Sequence, residues 1–141
     1  MPTTLKFNLL PIEDDGFHLQ STLKINGKEA VVIIDTGASR SVFDEERIAQ
    51  FVDNSLLEEH DRLSTGLGTN TMSSKKVNLE KLTINTLDIL NYEATILNLS
   101  HVNQSYEKLA LPLIDGVLGS DILADYKAVI DYGNKEIVFN T

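Results

Sequence analysis

Phe17, Leu19, Leu23 and Ile25 share one parity of the chain, with His18, Gln20, Thr22 and Lys24 on the other. That period of two marks a strand with one buried face, interrupted on its apolar side only by Ser21. Asp14-Asp15-Gly16 supplies a turn before it, after an earlier strand over residues 6–12, and Asn26-Gly27 behind it is a favoured two-residue hairpin pair. The run over residues 29–34 becomes continuously apolar at Ala30-Val31-Val32-Ile33-Ile34, as in a strand covered on both faces. The first third therefore reads as a three-stranded meander whose last strand runs straight into Asp35-Thr36-Gly37.

Beyond it, Asp44 is placed to cap a short helix reaching about Phe51, with Ile48 and Phe51 on one face. Strands are expected near residues 61–63 and over 77–82, joined by the small, polar, glycine-containing stretch 64–74, which has the composition of a long hairpin. Shorter strands follow over 82–84, 87–92 and 93–99, and residues 101–111 fit either a loop or one or two helical turns. Residues 113–119 form an apolar strand punctuated by glycines, and 120–124 suit a capped helical turn. Strands over 128–131 and 136–139 close the chain as a hairpin around Tyr132-Gly133-Asn134-Lys135. Many short strands and little helix make the expected class all-β, one domain over residues 1–141.

Composition narrows the functions such a domain can have. With 141 residues there is room for one compact unit and one site, which excludes enzymes that need two lobes in a single chain. Twenty-one Asp and Glu against twelve Lys and Arg leave a formal charge of −9, so neither nucleic acid nor an anionic membrane is an expected partner. Cysteine is absent, which removes disulfides, thiolate nucleophiles and thiolate zinc sites. The first residues lack a basic segment followed by an apolar one, and the longest clean apolar run is only 30–34, so a soluble, cytoplasmic chain is expected. His18, His60 and His101 are isolated and make no metal-ligand spacing, so no metal and no cofactor is expected.

The chemistry concentrates at Asp35. A carboxylate at the end of an apolar strand is costly unless its surroundings use it. Asp-Thr-Gly by itself is also an ordinary turn sequence. The neighbourhood adds more: four hydrophobes before the Asp, Ala38-Ser39 after it, a glycine-containing hairpin about thirty residues on, and a later apolar segment ending in Gly116-Val117-Leu118-Gly119.

In that order of parts the sequence resembles the retropepsin-like aspartic proteases, the single-domain family of retroviral proteases and their bacterial relatives. The resemblance runs from about Phe17 to Phe139. It is carried by Val32-Ile33-Ile34-Asp35-Thr36-Gly37-Ala38-Ser39, by the flap-like Gly66-Leu67-Gly68, and by Val117-Leu118-Gly119-Ser120-Asp121-Ile122-Leu123. It implies a closed, β-barrel-like acid-protease fold with a flap hairpin and one or two short helices. It also implies an aspartic endopeptidase acting on a peptide or protein substrate. In such a site two carboxylates about 3 Å apart share one proton, so that one activates a water as base while the other acts as acid. Asp35 takes the catalytic place, Thr36 the place that hydrogen-bonds across the two loops, and Gly37 the place that lets the backbones approach. Ala38, Ser39, Gly66, Leu67, Gly68, Val117 and Leu118 fall at substrate-binding and flap positions.

One chain carries one such Asp. Asp131-Tyr132-Gly133 is the only other Asp-x-Gly, with Tyr too large for the Thr role, and it reads as a turn, as does Asp115-Gly116. The implied dyad then needs a homodimer with one Asp35 from each subunit. Ser39 and Ser120 stand where retroviral proteases carry a paired Asp and Arg, which points to a different interface. Asp121 is expected to cap the short helix. The alternative is a catalytically inactive module of the same fold that binds peptides or a partner protein in its cleft. A phosphate-binding turn of the actin and sugar-kinase type would need far more chain and further nucleotide motifs, which are lacking here.

Overall fold

A computed structural model describes residues 2–63 and 73–140. The strands in chain order are β1 (Thr3–Lys6), β2 (Asn8–Pro11), β3 (Phe17–Ile25), β4 (Lys28–Ile34), β5 (Val42–Asp44), β6 (Glu58–Leu63), β7 (Ser73–Ile84), β8 (Leu87–Leu97), β9 (Gly116–Leu118), β10 (Val129–Asp131) and β11 (Glu136–Phe139). Two α-helices, α1 (Ser100–Lys108) and α2 (Ser120–Asp125), flank β9. None of the described helices is long and apolar enough to cross a membrane.

The larger sheet has the order β2-β3-β4-β9-β5-β8-β7-β6, and β3 also pairs with β7 through Lys24↔Thr83 and Ile25↔Leu82. That extra pairing closes a ring through β3, β4, β9, β5, β8 and β7, which gives the barrel-like form expected from the sequence. The ring holds the main core, where Ile25, Val32, Phe43, Ile48, Leu79, Leu82, Ile96 and Leu118 are essentially inaccessible. The residues of β4 divide between two apolar clusters: Ala30, Val32 and Ile34 face this core, and Val31 and Ile33 face a second one with Tyr106 and Ile114. Its continuous hydrophobicity thus has the expected cause.

Several boundaries differ from the sequence reading. The first strand is split at Phe7: β2 pairs with β3, while β1 leaves to pair with β11 in a separate sheet of order β1-β11-β10. Ser21, the break in the apolar parity of β3, is buried and donates to the carbonyl of Lys6 at 2.5 Å. The pairs of short strands expected over 77–84 and 87–99 are two long strands, β7 and β8. Asn91, at φ 54°, interrupts the pairing of β8 between Lys81↔Leu90 and Leu79↔Tyr92 without ending the strand. The helix after Asp44 is a single 3₁₀ turn, Arg47–Gln50, whose N-cap residue is Glu46 and makes no side-chain cap bond; Asp44, expected as the cap, instead holds the turn that leads into it, its carboxylate accepting from the Glu46 amide at 3.2 Å and the Arg47 amide at 3.0 Å.

Residues 101–111, open between loop and helix, fold as α1 and its exit. Leu111 N–H donates to Tyr106 C=O at 2.9 Å and Ala110 N–H to Glu107 C=O at 3.1 Å, the paired bonds of a Schellman ending, with Ala110 left-handed at φ 57°. Glycine usually marks that position, and an alanine there hides the stop signal. Asn103 fastens α1 to the next segment, its side chain accepting from Ile114 N–H at 2.8 Å and donating to Ile114 C=O at 3.1 Å.

Candidate active site

Parallel pairing of β4 with β9 continues past the strand end, where Asp35 N–H donates to Leu118 C=O at 3.0 Å. The chain then turns tightly. Gly37 N–H donates to Asp35 Oδ1 at 2.9 Å and Ala38 N–H to Asp35 C=O at 3.1 Å. A carboxylate that holds the second following amide is a self-made turn, which sets its rotamer. Asp35, Thr36, Gly37 and Ser39 are exposed, and Ala38 is half-buried.

The start of α2 grips this loop from the other side. Ser120 N–H donates to Ala38 C=O at 2.8 Å, and Gly119 N–H to Ser41 Oγ at 2.8 Å. Gly119 lies so close that an added Cβ would stand 2.7 Å from Arg40 C=O and 2.8 Å from Ala38 C=O, which is why no side chain fits. Below the loop, the fully buried Ser41 directs both its N–H (2.9 Å) and its hydroxyl (2.8 Å) to Asp121 Oδ1. Tyr92 OH donates to Asp121 Oδ2 at 2.5 Å. Asp121 is thus not the cap of α2: Gly119 is the N-cap residue and provides no side-chain bond. Burial, then the Asp121 carboxylate, pushes the Tyr92 hydroxyl well above the ordinary tyrosine range.

A cleft of about 370 Å³ opens beside Asp35 and Thr36. Ile33, Val117 and Ile114 form its apolar floor, Val102 and Tyr106 of α1 form a wall, and His18 stands at the rim with its Nδ1 2.6 Å from Tyr106 OH. Val117, singled out in the sequence, lines this cleft. Leu118 does not line the cleft: its side chain is fully buried in the main core, and only its carbonyl serves the site. Gly66, Leu67 and Gly68 lie outside the described residues.

Two carboxylates singled out as turns have definite structures. Asp131 holds Asn134, accepting from its N–H at 2.9 Å and from its side chain at 2.8 Å, and these bonds keep its carboxyl below the usual range. Asp115 is buried and receives Val31 N–H (2.8 Å), Arg47 Nε (2.8 Å) and Gln50 Nε2 (3.2 Å). That ion pair is a structural tie between β4, β9 and the 3₁₀ turn, and no short-range pattern announces it. The α1 wall was also missed, although Val102 and Tyr106 have the i, i+4 spacing of a helix face. Among the described residues no cluster of His, Asp and Glu could hold a metal ion.

The aspartyl protease family profile matches residues 21–122. No curated protein sequence matches. Among solved structures, a retropepsin-like aspartic protease from Rickettsia conorii superposes with a TM-score of 0.60 at 16% identity, covering 99% of this chain and 90% of its own. The retroviral protease-like domain of Ddi1 from Leishmania major gives 0.55 at 15% identity, with 82% of each chain covered. The inhibitor-bound EIAV protease gives 0.52 at 17% identity, covering 86% of this chain and 99% of its own. At these identities the likeness establishes a shared retropepsin fold.

Proposed function

The chain belongs to the aspartyl protease family, and we propose that it is an aspartic endopeptidase, one domain per subunit, whose dyad forms when Asp35 of two copies meet on a twofold axis. The observation that carries this reading is the exposure of Asp35 at the mouth of an apolar cleft, on a loop clamped by α2. A carboxylate so placed is accessible to a second copy, and a symmetric neighbour at about 3 Å would share its proton. The shared proton lets one carboxyl act as acid while the other takes a proton from the attacking water. Water adds to the peptide carbonyl, the protonated carboxyl stabilises the oxyanion, and the amine leaves with a proton returned from the pair. Thr36, exposed beside Asp35, would bridge the two loops across that axis.

Peptide-cleavage assays on wild type and Asp35→Asn test this. The amide cannot accept the water's proton, so turnover should fall at least about 10³-fold, with melting temperature held within a few degrees. Undiminished cleavage by Asp35→Asn would remove it from the mechanism. Peptide binding without cleavage by the wild type would support the non-catalytic module instead.

A further inference from the structure

The bracket that holds the Asp35 loop is itself held from behind. Residues 118–121 join the loop through Asp35 N–H to Leu118 C=O, Ser120 N–H to Ala38 C=O and Gly119 N–H to Ser41 Oγ. The Asp121 carboxylate ends this chain of bonds, its Oδ1 taking both Ser41 donors and its Oδ2 taking Tyr92 OH of β8 at 2.5 Å. A carboxylate is one rigid plane, so the phenol on Oδ2 fixes where Oδ1 meets Ser41. Arg40 reaches the same stretch of β8, its guanidinium donating to Thr95 Oγ1 at 3.3 Å and to Glu93 C=O at 3.5 Å.

Tyr92 faces inward because strand parity breaks just before it. Leu87 and Ile89 pack on the main core, and so do Tyr92, Ala94 and Ile96. Between the two sets, Leu90 and Asn91 are both exposed. Strict alternation from Ile89 would turn residue 92 to solvent, and the left-handed Asn91, at φ 54°, resets it. Strand β7 changes face opposite, between Leu79 and Leu82, which keeps the two strands in register. The Asn91 side chain accepts a long surface bond from Asn78 Nδ2 at 3.4 Å, so the weight of this position lies in its backbone.

We infer that Tyr92, turned inward by Asn91, is a positioning residue for Asp35 and acts through Asp121 and Ser41. This rests on the proteolytic reading proposed above. Without the phenol, Oδ2 of the half-buried Asp121 must turn to find another donor, and Oδ1 turns with it away from Ser41. The Ser41 hydroxyl then loses the acceptor that aims its lone pair at Gly119 N–H, and the loop loses its alignment with residues 118–120. None of these bonds is a contact with the reacting carboxylate of Asp35, so their loss displaces that group and leaves its own chemistry intact.

The test has a kinetic arm and an exchange arm. In peptide cleavage, Tyr92→Phe should lower kcat by about 10–100-fold with KM held within about 3-fold, because a displacement of about 1 Å costs rate more than binding. Asn91→Val, β-branched and strained at this φ, should do the same, whereas Asn91→Gly adopts the conformation freely and should keep kcat within about 2-fold of wild type. In the second arm, amide hydrogen exchange is followed by NMR. The Ser41 and Gly119 amides should exchange about 10-fold faster or more in Tyr92→Phe and Asn91→Val, relative to core amides of β3, and at the wild-type rate in Asn91→Gly. A folded Tyr92→Phe with wild-type kcat overturns the positioning role and leaves the protease reading standing. Equal loss of kcat in Asn91→Gly and Asn91→Val overturns the part given to the Asn91 backbone. A wild type that cleaves nothing, while the exchange pattern appears, overturns the protease reading and keeps the Tyr92 brace on the loop. Neither cleavage nor the exchange pattern overturns both.

Discussion

Asp35 and Asp121 show how differently two carboxylates of one small domain can be used. Asp35 ends an apolar strand in the open, while Asp121 is spent on Ser41 and Tyr92 beneath the same loop. The sequence could mark the first, because an ionisable group abutting a buried strand is unusual. It assigned the second to a helix cap, because its partners lie 80 and 29 positions away. Tyr92→Phe leaves Asp121 Oδ2 without its donor and should cost about 1–3 kcal/mol in urea unfolding at neutral pH. The Tyr92 pKa is raised from its ordinary 10.0, so the unfolded chain ionises first as pH rises. Its contribution is therefore complete below about pH 10 and is lost above it, at up to about 1.4 kcal/mol per pH unit. Unfolding titrations between pH 8 and 11 should show a shallower decline in Tyr92→Phe than in wild type.

Among the elements, the crossing of β4, β9 and β5 positions the site. Gly116 pairs with Phe43, and a Cβ there would collide with the Phe43 ring and stand 2.6 Å from Val42 C=O. Backbone cannot yield as a flexible side chain can, so Gly116→Ala should destabilise by about 1–3 kcal/mol or more, measured by denaturant midpoint. If the loss instead matched an exposed substitution, β5 would have to be free to move. The strands themselves were legible from period and turn residues. Their ends were not, where Asn91 turns within β8 without ending it and Ala110 ends α1 without a glycine. The position of α1 over the second core cluster is held by Asn103 bonding the Ile114 backbone eleven positions on, a side-chain-to-backbone tie that period and turn residues do not announce.

At the scale of the molecule, each copy carries −9, so the proposed association works against its own field. Specific activity should fall on dilution below the dimer dissociation constant. Raising salt from about 0.05 to 0.5 M should strengthen association by screening that repulsion, read by sedimentation velocity and by the dilution midpoint. Activity per chain that is constant over a thousandfold dilution, with only monomer sedimenting, would contradict the shared dyad.

The sequence by itself determined that these 141 residues are β-rich, with a single Asp-Thr-Gly behind a doubly buried strand. Those properties are local or additive: strand period, turn chemistry, length and charge. Only the tertiary structure decided that β3 and β7 close the sheet, that the first strand pairs with the last, and that Asp115 and Asp121 are structural. It also decided that Leu118 turns inward while α1 lines the cleft. Each of these outcomes is a choice among distant partners. Such choices are settled by packing and by the need to satisfy buried polar groups, which exist only once the chain has closed on itself.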